Sequence, residues 1–445
     1  MVAPRRRASG RRALSVWANG LRVGRWKVDP RAGHVLEYDR DWAASPEGRP
    51  LSLSLPLDPG ALQLRTPAVE RYFDNLLPDS DAIRRRIRER FHVASGKPFE
   101  LLAAIGRDCV GALQLLPEDE RPEPQGAAQG EPLTDAQVAT LLGRVTGGAL
   151  GADEADDFRI SIAGAQEKTA LLRIGGQWHR PVGATATTHI LKLPLGRVGN
   201  MQADLSTSVE NEWLCLRLLR AYGLPAARAE IGHFVDRKAL VVERFDRSVG
   251  ADGQVLRLMQ EDFCQALGLG ATLKYERDGG PGMRQVCERL LQGANRDADL
   301  ETFWQAQVLF LMLAATDGHA KNFSIRIHAG GSFTLTPVYD VLSAWPIIGP
   351  GPNQLAWQKA RLAMAFRDRN AHYNLAGILR RHLLATAERD CRIPMATAER
   401  LLDGLLARTP AAIEEVNAAL PSDFPASVAD SVFHGLRESA LRLGA

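Results

Sequence analysis

The sequence predicts an α+β protein with two lobes, a β-rich N-terminal lobe followed by a helical C-terminal lobe. Short strand-like runs separated by turn residues fill most of residues 14–250. Beyond residue 255 the apolar residues recur mainly with helical spacing, apart from one predicted hairpin, and the C-terminal part indicates three amphipathic helices. The chain has 445 residues, enough for two or three domains with a large core.

Changes in composition divide the chain into five segments. An arginine-rich tail at 1–13 is expected to be disordered, and 14–117 is expected to form an N-terminal subdomain. Residues 118–157, rich in Pro, Gly, Glu and Gln at their start, are predicted to be a linker. The core of the smaller lobe is assigned to 158–250, and the helical lobe, described as all-helical, to 251–445.

The elements of the N-terminal subdomain follow from turn signals and alternation. Asn19-Gly20 between two alternating runs is the strongest short signal for a hairpin, predicted over 14–26. Further strands are predicted at 35–38, 51–55 (LSLSL) and 111–116, and FDNLLPDS at 73–80 leads into a helix that carries an arginine cluster at 84–88.

In the core of the smaller lobe, strand patterns surround one helix. Residues 208–221 (SVENEWLCLRLLRA) indicate an amphipathic helix that ends before Gly223 and Pro225. The predicted strands are 158–162, 169–174, 188–193 and 239–242.

Composition and charge exclude several classes of protein. Apolar residues make up 45% and charged residues 24%, typical of a globular protein, and a net charge of +3 does not by itself indicate nucleic-acid binding. No apolar run reaches 18 residues, so no membrane span is predicted, and no secretory signal follows the basic N-terminus. The five scattered cysteines without C-x-x-C spacing indicate reduced thiols, and we expect a cytoplasmic protein.

The stretch ATDGHAKNFS at 315–324 carries the chemistry. Asp317 and Asn322 have the D-x-x-x-x-N spacing of a kinase catalytic loop, in which the aspartate is the base and the asparagine holds a magnesium ion. Asp340 stands where a second metal-binding aspartate is expected. The spacing alone also fits a turn with an aspartate cap. However, an apolar helix at 302–315 precedes it and a hairpin over 322–335 follows, the order that a phosphotransferase needs.

The smaller lobe must then supply a phosphate loop, a lysine and a hinge. Small residues at 161–168 (SIAGAQEK) would let backbone N–H groups approach phosphates, although a plain β-turn also fits. Lys192 would face the phosphates, although a lysine in a strand is often simply solvated. Glu210 or Glu212 would orient this lysine, and we favour Glu212. Residues 243–245 would form the adenine hinge, although Phe245 equally fits core packing.

Long motifs in this order resemble the HipA family of bacterial type II toxin–antitoxin systems. The resemblance covers nearly the whole chain after residue 13, and it departs from the family mainly in the tail and near 120–132. The motifs are SIAGAQEKTALL at 161–172, HILKLP at 189–194, VERFDR at 242–247, QEDFCQALG at 260–268, DGGPG at 278–282, ATDGHAKNFS at 315–324 and LTPVYD at 335–340, with FDNLLPDS and GRDCVGALQLLP in the N-terminal subdomain.

The resemblance implies a protein-kinase-like fold, the cofactors ATP and Mg²⁺, and a role for each matching residue. Asp317 would be the catalytic base, Asn322 and Asp340 the Mg²⁺ ligands, and Ser161 the autophosphorylated serine. The expected ATP-binding residues are Ala163, Gly164, Ala165, Gln166, Glu167, Lys168, Lys192, Glu243, Arg244, Phe245, His319, Lys321, Asn322 and Asp340.

The resemblance also implies partners. The family toxin phosphorylates an aminoacyl-tRNA synthetase, typically the glutamyl enzyme, which stalls growth into persistence. It is neutralised by a HipB-like helix-turn-helix antitoxin that binds operator DNA. Two other interpretations stay open: a co-repressor that acts mainly by docking on the DNA-binding antitoxin, and a kinase with a different substrate.

Overall fold

The structure, a computed structural model, describes residues 13–124, 126–146, 160–164, 166–199 and 201–445. The arginine-rich tail predicted at 1–13, except for its last residue, lies outside the described residues. So do Gln125 and 147–157 of the predicted linker, the beginning of the strand predicted at 158–162, and Ala165 of the phosphate loop.

The N-terminal subdomain is an antiparallel sheet with four helices. Its elements are β1 Ala13–Ala18, β2 Leu21–Asp29, β3 Gly33–Tyr38, α1 Arg40–Ala44, β4 Gln63–Leu64, α2 Pro67–Asp74, α3 Asp81–Arg90, α4 Pro98–Ile105, β5 Asp108–Cys109 and β6 Leu113–Pro117. The strand order in the sheet is β4-β3-β2-β1-β6. At the predicted hairpin, Asn19 and Gly20 have φ of 47° and 79°, the positive values that a type I′ turn requires. The fully buried Trp26 stacks on Phe73, with ring centroids 4.0 Å apart.

The strand predicted at 51–55 is wrong. Its polar groups are satisfied by the Tyr38 hydroxyl and by the second half of the chain, and not by a neighbouring strand. The Leu53 N–H donates to Oε1 of Glu261 (2.9 Å), and the Ser54 hydroxyl donates to the Gln265 carbonyl (2.7 Å). Alternation of Leu and Ser therefore marks a loop with one buried side, which docks on the helical lobe.

The core of the smaller lobe is a six-stranded antiparallel sheet. The elements of this part are β7 Gly130–Pro132, α5 Asp135–Thr146, β8 Ile160–Ser161, β9 Lys168–Ile174, β10 Gln177–Pro181, β11 His189–Lys192, β12 Gly196–Val198, β13 Ala203–Leu205, α6 Ser208–Ala221, β14 Ala229–Phe234, β15 Arg237–Glu243, β16 Arg247–Val249 and β17 Val255–Arg257. The strand order is β14-β15-β11-β9-β10-β7. β8 lies outside this sheet and pairs in parallel with β5 of the N-terminal subdomain.

Two expectations for this part need correction. Residues 118–157 are not a linker throughout, because β7 joins the edge of the sheet and α5 packs its apolar residues Val138 and Leu142 against Leu171 and Val241. The helix at 208–221 is not amphipathic in its surroundings, because almost all of its residues are buried between the lobes. Its two glutamates are buried in ion pairs with Lys192 and Lys238, so their charges make the sequence pattern look like that of a half-exposed helix.

The C-terminal lobe is mainly helical but not all-helical. Its elements are β18 Gln260–Asp262, α7 Phe263–Ala266, α8 Met283–Leu290, α9 Arg296–Met312, β19 Ser324–Ile327, β20 Phe333–Leu335, β21 Arg361–Arg367, β22 Ala371–Asn374, α10 Arg380–Arg389, α11 Met395–Ala418 and α12 Ala426–Gly444. The predicted hairpin, β19–β20, gains β18 as a third strand, and β21–β22 is a hairpin that the sequence analysis missed. None of the helices in the described part of the chain has the length and apolar composition needed to cross a bilayer.

A buried ionic cluster joins the N-terminal subdomain to the rest of the chain. The Asp108 carboxylate accepts from Arg247 (2.9 Å) and Arg257 (3.1 Å), and the Asp246 carboxylate accepts from Arg244 (2.8 Å) and forms an ion pair with Arg247 (2.9 Å). All five side chains are less than a tenth exposed. Burial raises the pKa of the Asp108 carboxyl, but the three guanidinium groups outweigh it and hold that pKa well below its usual range.

We expect Asp108→Asn to lower the free energy of unfolding by about 3–5 kcal/mol, because Asp246 would be the one carboxylate left in the cluster to neutralise three buried guanidinium groups. Urea denaturation at neutral pH measures this change. Asp430→Asn, at an exposed position of α12, is the control and should change stability by less than about 0.5 kcal/mol. Equal free energies of unfolding for the two variants would contradict the proposed contribution of the cluster to stability.

Candidate active site

The loop after α9 presents Asp317 to solvent. α9 is mostly buried and ends at Met312, so the loop starts from a fixed point. Gly318 packs directly on the ring of Phe310, where an added Cβ would lie 2.3 Å from a ring carbon. The Asp317 side chain is 64% exposed, and its Oδ1 accepts a hydrogen bond from the Tyr275 hydroxyl at 2.6 Å. A carboxylate in this position is accessible to the hydroxyl of a macromolecular substrate.

The hairpin β19–β20 returns Asp340 to the side of Asn322. The Asn322 side-chain N–H group donates to the Asp340 backbone carbonyl at 3.1 Å. Asp340 has φ of 59°, in the left-handed region that an aspartate seldom adopts, and such strain is typical of functional positions. Asn322 and Asp340 therefore lie side by side, so their side-chain oxygens could hold a cation together.

Lys192 connects three elements at the centre of the site. Its Nζ lies 2.6 Å from Oε1 of Glu212 on α6 and 2.7 Å from Oδ1 of Asp340. Burial alone would lower the pKa of Lys192, but Asp340 and Glu212 outweigh burial and raise it. Burial raises the pKa of the Glu212 carboxyl to about 6, against the effect of Lys192. Glu212 is thus the glutamate that orients the lysine, while Glu210 faces away and pairs with Lys238.

The expected phosphate loop is built around Gly164 and Lys168. Gly164 has φ of 109°, and an added Cβ would lie 2.6 Å from Nζ of Lys168, so this position requires glycine. Burial, followed by the nearby Lys192 ammonium, lowers the pKa of Lys168 to about 8. The Gln166 side chain donates to the Leu193 carbonyl at 2.6 Å, and Glu167 pairs with Arg86 of α3. These two side chains hold the loop, which leaves backbone N–H groups as its means of contacting phosphate.

The N-terminal subdomain holds the phosphate loop. Ser161 is fully buried in β8, and its hydroxyl donates to the Leu76 carbonyl at 2.8 Å. The Asp79 backbone N–H donates to the Gly164 carbonyl at 3.0 Å. Leu76 and Asp79 belong to the FDNLLPDS motif, so this motif forms one wall of the site. Ala163, between the two contacts, is half-buried.

The expected hinge is at the junction of the lobes, but one of its side chains is not available to a nucleotide. Arg244 is buried in the ionic cluster with Asp108 and Asp246, so its part in the predicted hinge is limited to its backbone. Glu243 is exposed, and the Phe245 ring packs on Tyr339 with centroids 5.5 Å apart. The backbone of this segment, the exposed Glu243 side chain and the ring of Phe245 remain as candidates for contacting a nucleotide.

Lys321 is also misassigned as an ATP-binding residue. Its ammonium is buried and donates to Oδ1 of Asn75 (2.7 Å) and Oδ2 of Asp262 (2.9 Å), so it fastens the catalytic loop to the N-terminal subdomain. His319 is buried between Asp317 and Asp340. Burial lowers the pKa of its imidazole, and the nearby carboxylates only partly oppose this effect.

The sequence analysis missed Asp79, Lys274 and Tyr275. Lys274 pairs with Asp79 (3.0 Å), and Tyr275 contacts Asp317. A signal was present: FDNLLPDS, which contains Asp79, and DGGPG, which begins three residues after Tyr275, are motifs that no assigned role explained.

A cluster of Asp368, His372 and His382 lies elsewhere in the helical lobe, and its geometry does not suit a metal ion. The two imidazole rings are parallel within 9° and their centroids are 3.7 Å apart, so one ion cannot lie in both ring planes. The Leu379 N–H donates to Nδ1 of His382, which leaves the proton of a neutral ring on Nε2. The cluster is therefore a stacked pair of histidines beside a carboxylate.

The site defines a protein-kinase-like enzyme, and comparisons with known proteins identify the family. Residues 14–116 match the HipA N-terminal domain, and residues 160–413 match the HipA-like C-terminal domain. The chain belongs to the HipA family, the serine/threonine-protein kinase toxins.

Curated relatives and a solved structure agree with this assignment. The chain is 37% identical over 345 residues to the putative kinase Y4mE of Sinorhizobium fredii, covering 76% of this chain and 79% of that protein. It is 30% identical over 417 residues to the serine/threonine-protein kinase toxin HipA of Shewanella oneidensis, covering 87% and 89%. The structure of HipA from the HipA–HipB–operator DNA complex of Shewanella oneidensis matches with a TM-score of 0.78 and 27% identity, covering 97% of each chain.

We expect the affinity for ATP to fall as the pH rises above about 8. The Lys168 ammonium, whose pKa burial lowers to about 8, attracts phosphate only while protonated. Calorimetric titration with ATP between pH 6.5 and 9.5 measures this dependence. Lys168→Met, which has no charge at any pH, should bind weakly and with little change over the same range. A wild-type affinity that stays constant to pH 9.5 would contradict the role of Lys168.

Proposed function

We propose that the chain transfers the γ-phosphoryl group of Mg·ATP to a serine or threonine of a protein, as the toxin of a type II toxin–antitoxin pair. The observation that carries this proposal is the contact of Lys192 with both Glu212 and Asp340, because it brings the phosphate-facing lysine of one lobe to the metal-binding aspartate of the other. Asp317 belongs to the same site, because the carboxylates of Asp317 and Asp340 both lie near the buried His319 and both favour the protonated form of its imidazole.

In the proposed reaction, Asp317 receives the proton of the acceptor hydroxyl. The acceptor oxygen forms a bond to the γ-phosphorus, the bond from that phosphorus to the bridging oxygen breaks, and ADP leaves with the electron pair. Phosphoryl transfer needs positioning and neutralisation of charge, without a covalent enzyme intermediate. The exposed Asp317 carboxylate suits this role, because a protein substrate must reach it.

Asn322 and Asp340 fit a magnesium ion. Asn322 uses its side-chain N–H group on the Asp340 carbonyl, so its amide oxygen remains available as a ligand. Burial raises the pKa of the Asp340 carboxyl, but Lys192 and Lys168 outweigh it and keep the group ionised. One carboxylate and one amide oxygen, with phosphate oxygens and water, form a typical Mg²⁺ site. The ion would supply positive charge to the phosphates, while Lys192 and Lys168 orient them.

The substrate and partners are proposed from the family. Membership supports an aminoacyl-tRNA synthetase, the glutamyl enzyme first, as the phosphorylated protein, with persistence as the result. The match to HipA from a complex with HipB and operator DNA supports a HipB-like antitoxin that brings this chain to DNA. A cytoplasmic location follows from these partners.

Autophosphorylation of Ser161 is proposed as the means of inactivation. The hydroxyl is buried against the Leu76 carbonyl, an acceptor, so a phosphate there would face an oxygen in a site from which water is excluded. The loop would have to leave the wall formed by FDNLLPDS before or during modification.

The second candidate function is a co-repressor that docks on the antitoxin without acting as a kinase. The match to HipA in a DNA-bound complex favours it. Against it stands the complete set of Asp317, Asn322 and Asp340, which docking alone does not need. Incubation of the unphosphorylated protein with Mg·[γ-³²P]ATP and purified aminoacyl-tRNA synthetases separates the two. Label on Ser161 and on a synthetase supports the toxin, label on Ser161 alone leaves a kinase with another substrate, and no label supports the co-repressor.

Asp317→Asn and Asp340→Asn should differ in how they lose activity. Losing the base should lower turnover by about 10²–10⁴-fold while Mg·ATP still binds, because Asp317 contacts the acceptor and not the phosphates. Losing the carboxylate of Asp340 should weaken Mg·ATP binding as well. Measuring the dissociation constant by calorimetry beside the transfer rate tests both. An active Asp317→Asn protein would refute the proposed base.

Ser161→Asp should weaken binding of Mg·ATP by at least about tenfold, and Ser161→Ala by less than about threefold. The aspartate places an unpaired charge against the Leu76 carbonyl and drives the loop out, whereas alanine loses one hydrogen bond. Calorimetry with both variants is the measurement, and limited proteolysis reports release of the loop. Equal affinities would mean that a charge at this position does not displace the loop.

A further inference from the structure

The segment 273–282 (LKYERDGGPG) lies against the catalytic loop and has no role in the function proposed above. The Tyr275 hydroxyl donates to Oδ1 of Asp317 at 2.6 Å. The edge of the Tyr275 ring contacts the imidazole of His319, with centroids 4.9 Å apart and an interplanar angle of 83°. Tyr275 therefore contacts two residues of the catalytic loop, one of them the base.

The backbone of Tyr275 is fixed by the DGGPG turn. Its carbonyl accepts from the N–H groups of Asp278 (3.1 Å) and Gly280 (2.9 Å). An added Cβ at Gly280 would lie 2.1 Å from the Leu273 carbonyl oxygen and 2.7 Å from that of Tyr275, so no other residue fits the turn. The glycines of this motif thus serve to hold Tyr275 in place.

The neighbours of Tyr275 are held as well. The Lys274 carbonyl accepts from the Ala320 N–H in the catalytic loop (3.2 Å), and the Lys274 ammonium pairs with Asp79 (3.0 Å). The Glu276 carboxylate accepts from the Ala365 N–H (2.7 Å) and pairs with Arg367. Tyr275 is therefore presented from a rigid support, which a residue that orients another side chain needs.

Asp317 depends on this support because its other neighbours do not hold it. Its side chain is 64% exposed, and its Oδ2 is 4.0 Å from Nε2 of His319, beyond hydrogen-bond distance. Without the tyrosine hydroxyl, the carboxylate would rotate in solvent. A base that rotates freely is correctly placed for only part of the time, and orientation contributes strongly to rate.

We propose that Tyr275 is a positioning residue for phosphoryl transfer: its hydroxyl holds Oδ1 of Asp317 so that Oδ2 receives the proton of the acceptor hydroxyl. This inference rests on the proposed kinase function. Tyr275 does not take part in the bond changes: the acceptor oxygen binds the γ-phosphorus, ADP leaves, and the proton passes to Asp317.

The main test compares Tyr275→Phe with the wild type. The change removes only the hydroxyl, so we expect kcat to fall by about 10–100-fold, the factor for a lost hydrogen bond to a charged group, and the dissociation constant of Mg·ATP to stay within about twofold. Tyr222→Phe is the matched control, because it removes a buried hydroxyl that bonds to Thr409 (2.9 Å) away from the site. This control should lose stability but keep its transfer rate.

A double variant tests whether Tyr275 acts through Asp317. In the Asp317→Asn background, Tyr275→Phe should cause no further fall in the residual rate, because the base that it orients is gone. A further fall as large as in the wild type would overturn the proposal. A Tyr275→Phe enzyme with unchanged kcat would also overturn the proposal. An increased kcat would overturn it as well, because the tyrosine hydroxyl would then be blocking the base.

An experiment that does not require activity separates this inference from the proposed function. Burial, followed by the Asp317 carboxylate, raises the pKa of the Tyr275 hydroxyl. NMR of protein with ¹³Cζ-labelled tyrosine follows its titration among six tyrosines, assigned with Tyr275→Phe. Asp317→Asn should lower this pKa. No change would overturn the contact, even in an active kinase. If Asp317→Asn lowers the pKa of Tyr275 but the wild type transfers no phosphate, the contact is real and the kinase function is refuted. The positioning role is then refuted with it.

Discussion

The contact of Lys192 with Glu212 and Asp340 is the interaction on which the site depends. It joins a strand of the smaller lobe, a helix between the lobes and the segment after β20. Lys192 and Glu212 are buried, and the Asp340 side chain is 34% exposed. Together the three groups carry one net negative charge, and Lys168 nearby supplies the balancing cation. Balance is needed because an uncompensated charge away from water costs several kcal/mol. The pKa of about 6 for Glu212 and about 8 for Lys168 show that these two groups are the least firmly ionised.

The N-terminal subdomain is part of the site and not an appendage to it. Leu76 and Asp79 hold the phosphate loop, Asn75 holds Lys321 of the catalytic loop, and Asp108 holds the arginines beside the hinge. Removing the subdomain would leave the Ser161 hydroxyl without its acceptor and would remove one of the partners of Lys321 and of the buried arginines. The remaining two lobes would therefore lack a wall of the phosphate loop and part of the hydrogen bonding of their buried cations.

The sequence was sufficient where a pattern reports local chemistry. Asn19-Gly20 predicts its turn because only few residues accept positive φ, and the spacing of Asp317, Asn322 and Asp340 reflects one loop and one hairpin. It was not sufficient where a side chain is satisfied by a distant segment. Arg244 and Lys321 stand within motifs of the site, yet Arg244 is buried in the cluster with Asp108, and Lys321 donates to Asn75 as well as to Asp262. Nothing in the local sequence indicates Asp108 or Asn75 as partners.

The surroundings of Ser161 would suit the regulation proposed for it. Its hydroxyl is fully buried, and its partner is a carbonyl that accepts a hydrogen bond but cannot donate one to a phosphate. Gly164, three residues along the chain, is held by Asp79 and lies over Lys168. Under the proposed function, a phosphate on Ser161 would therefore favour a state in which the loop has left the FDNLLPDS wall. In that state the loop would no longer cover Lys168, so one modification would remove both the backbone donors and this half-buried cation from the nucleotide.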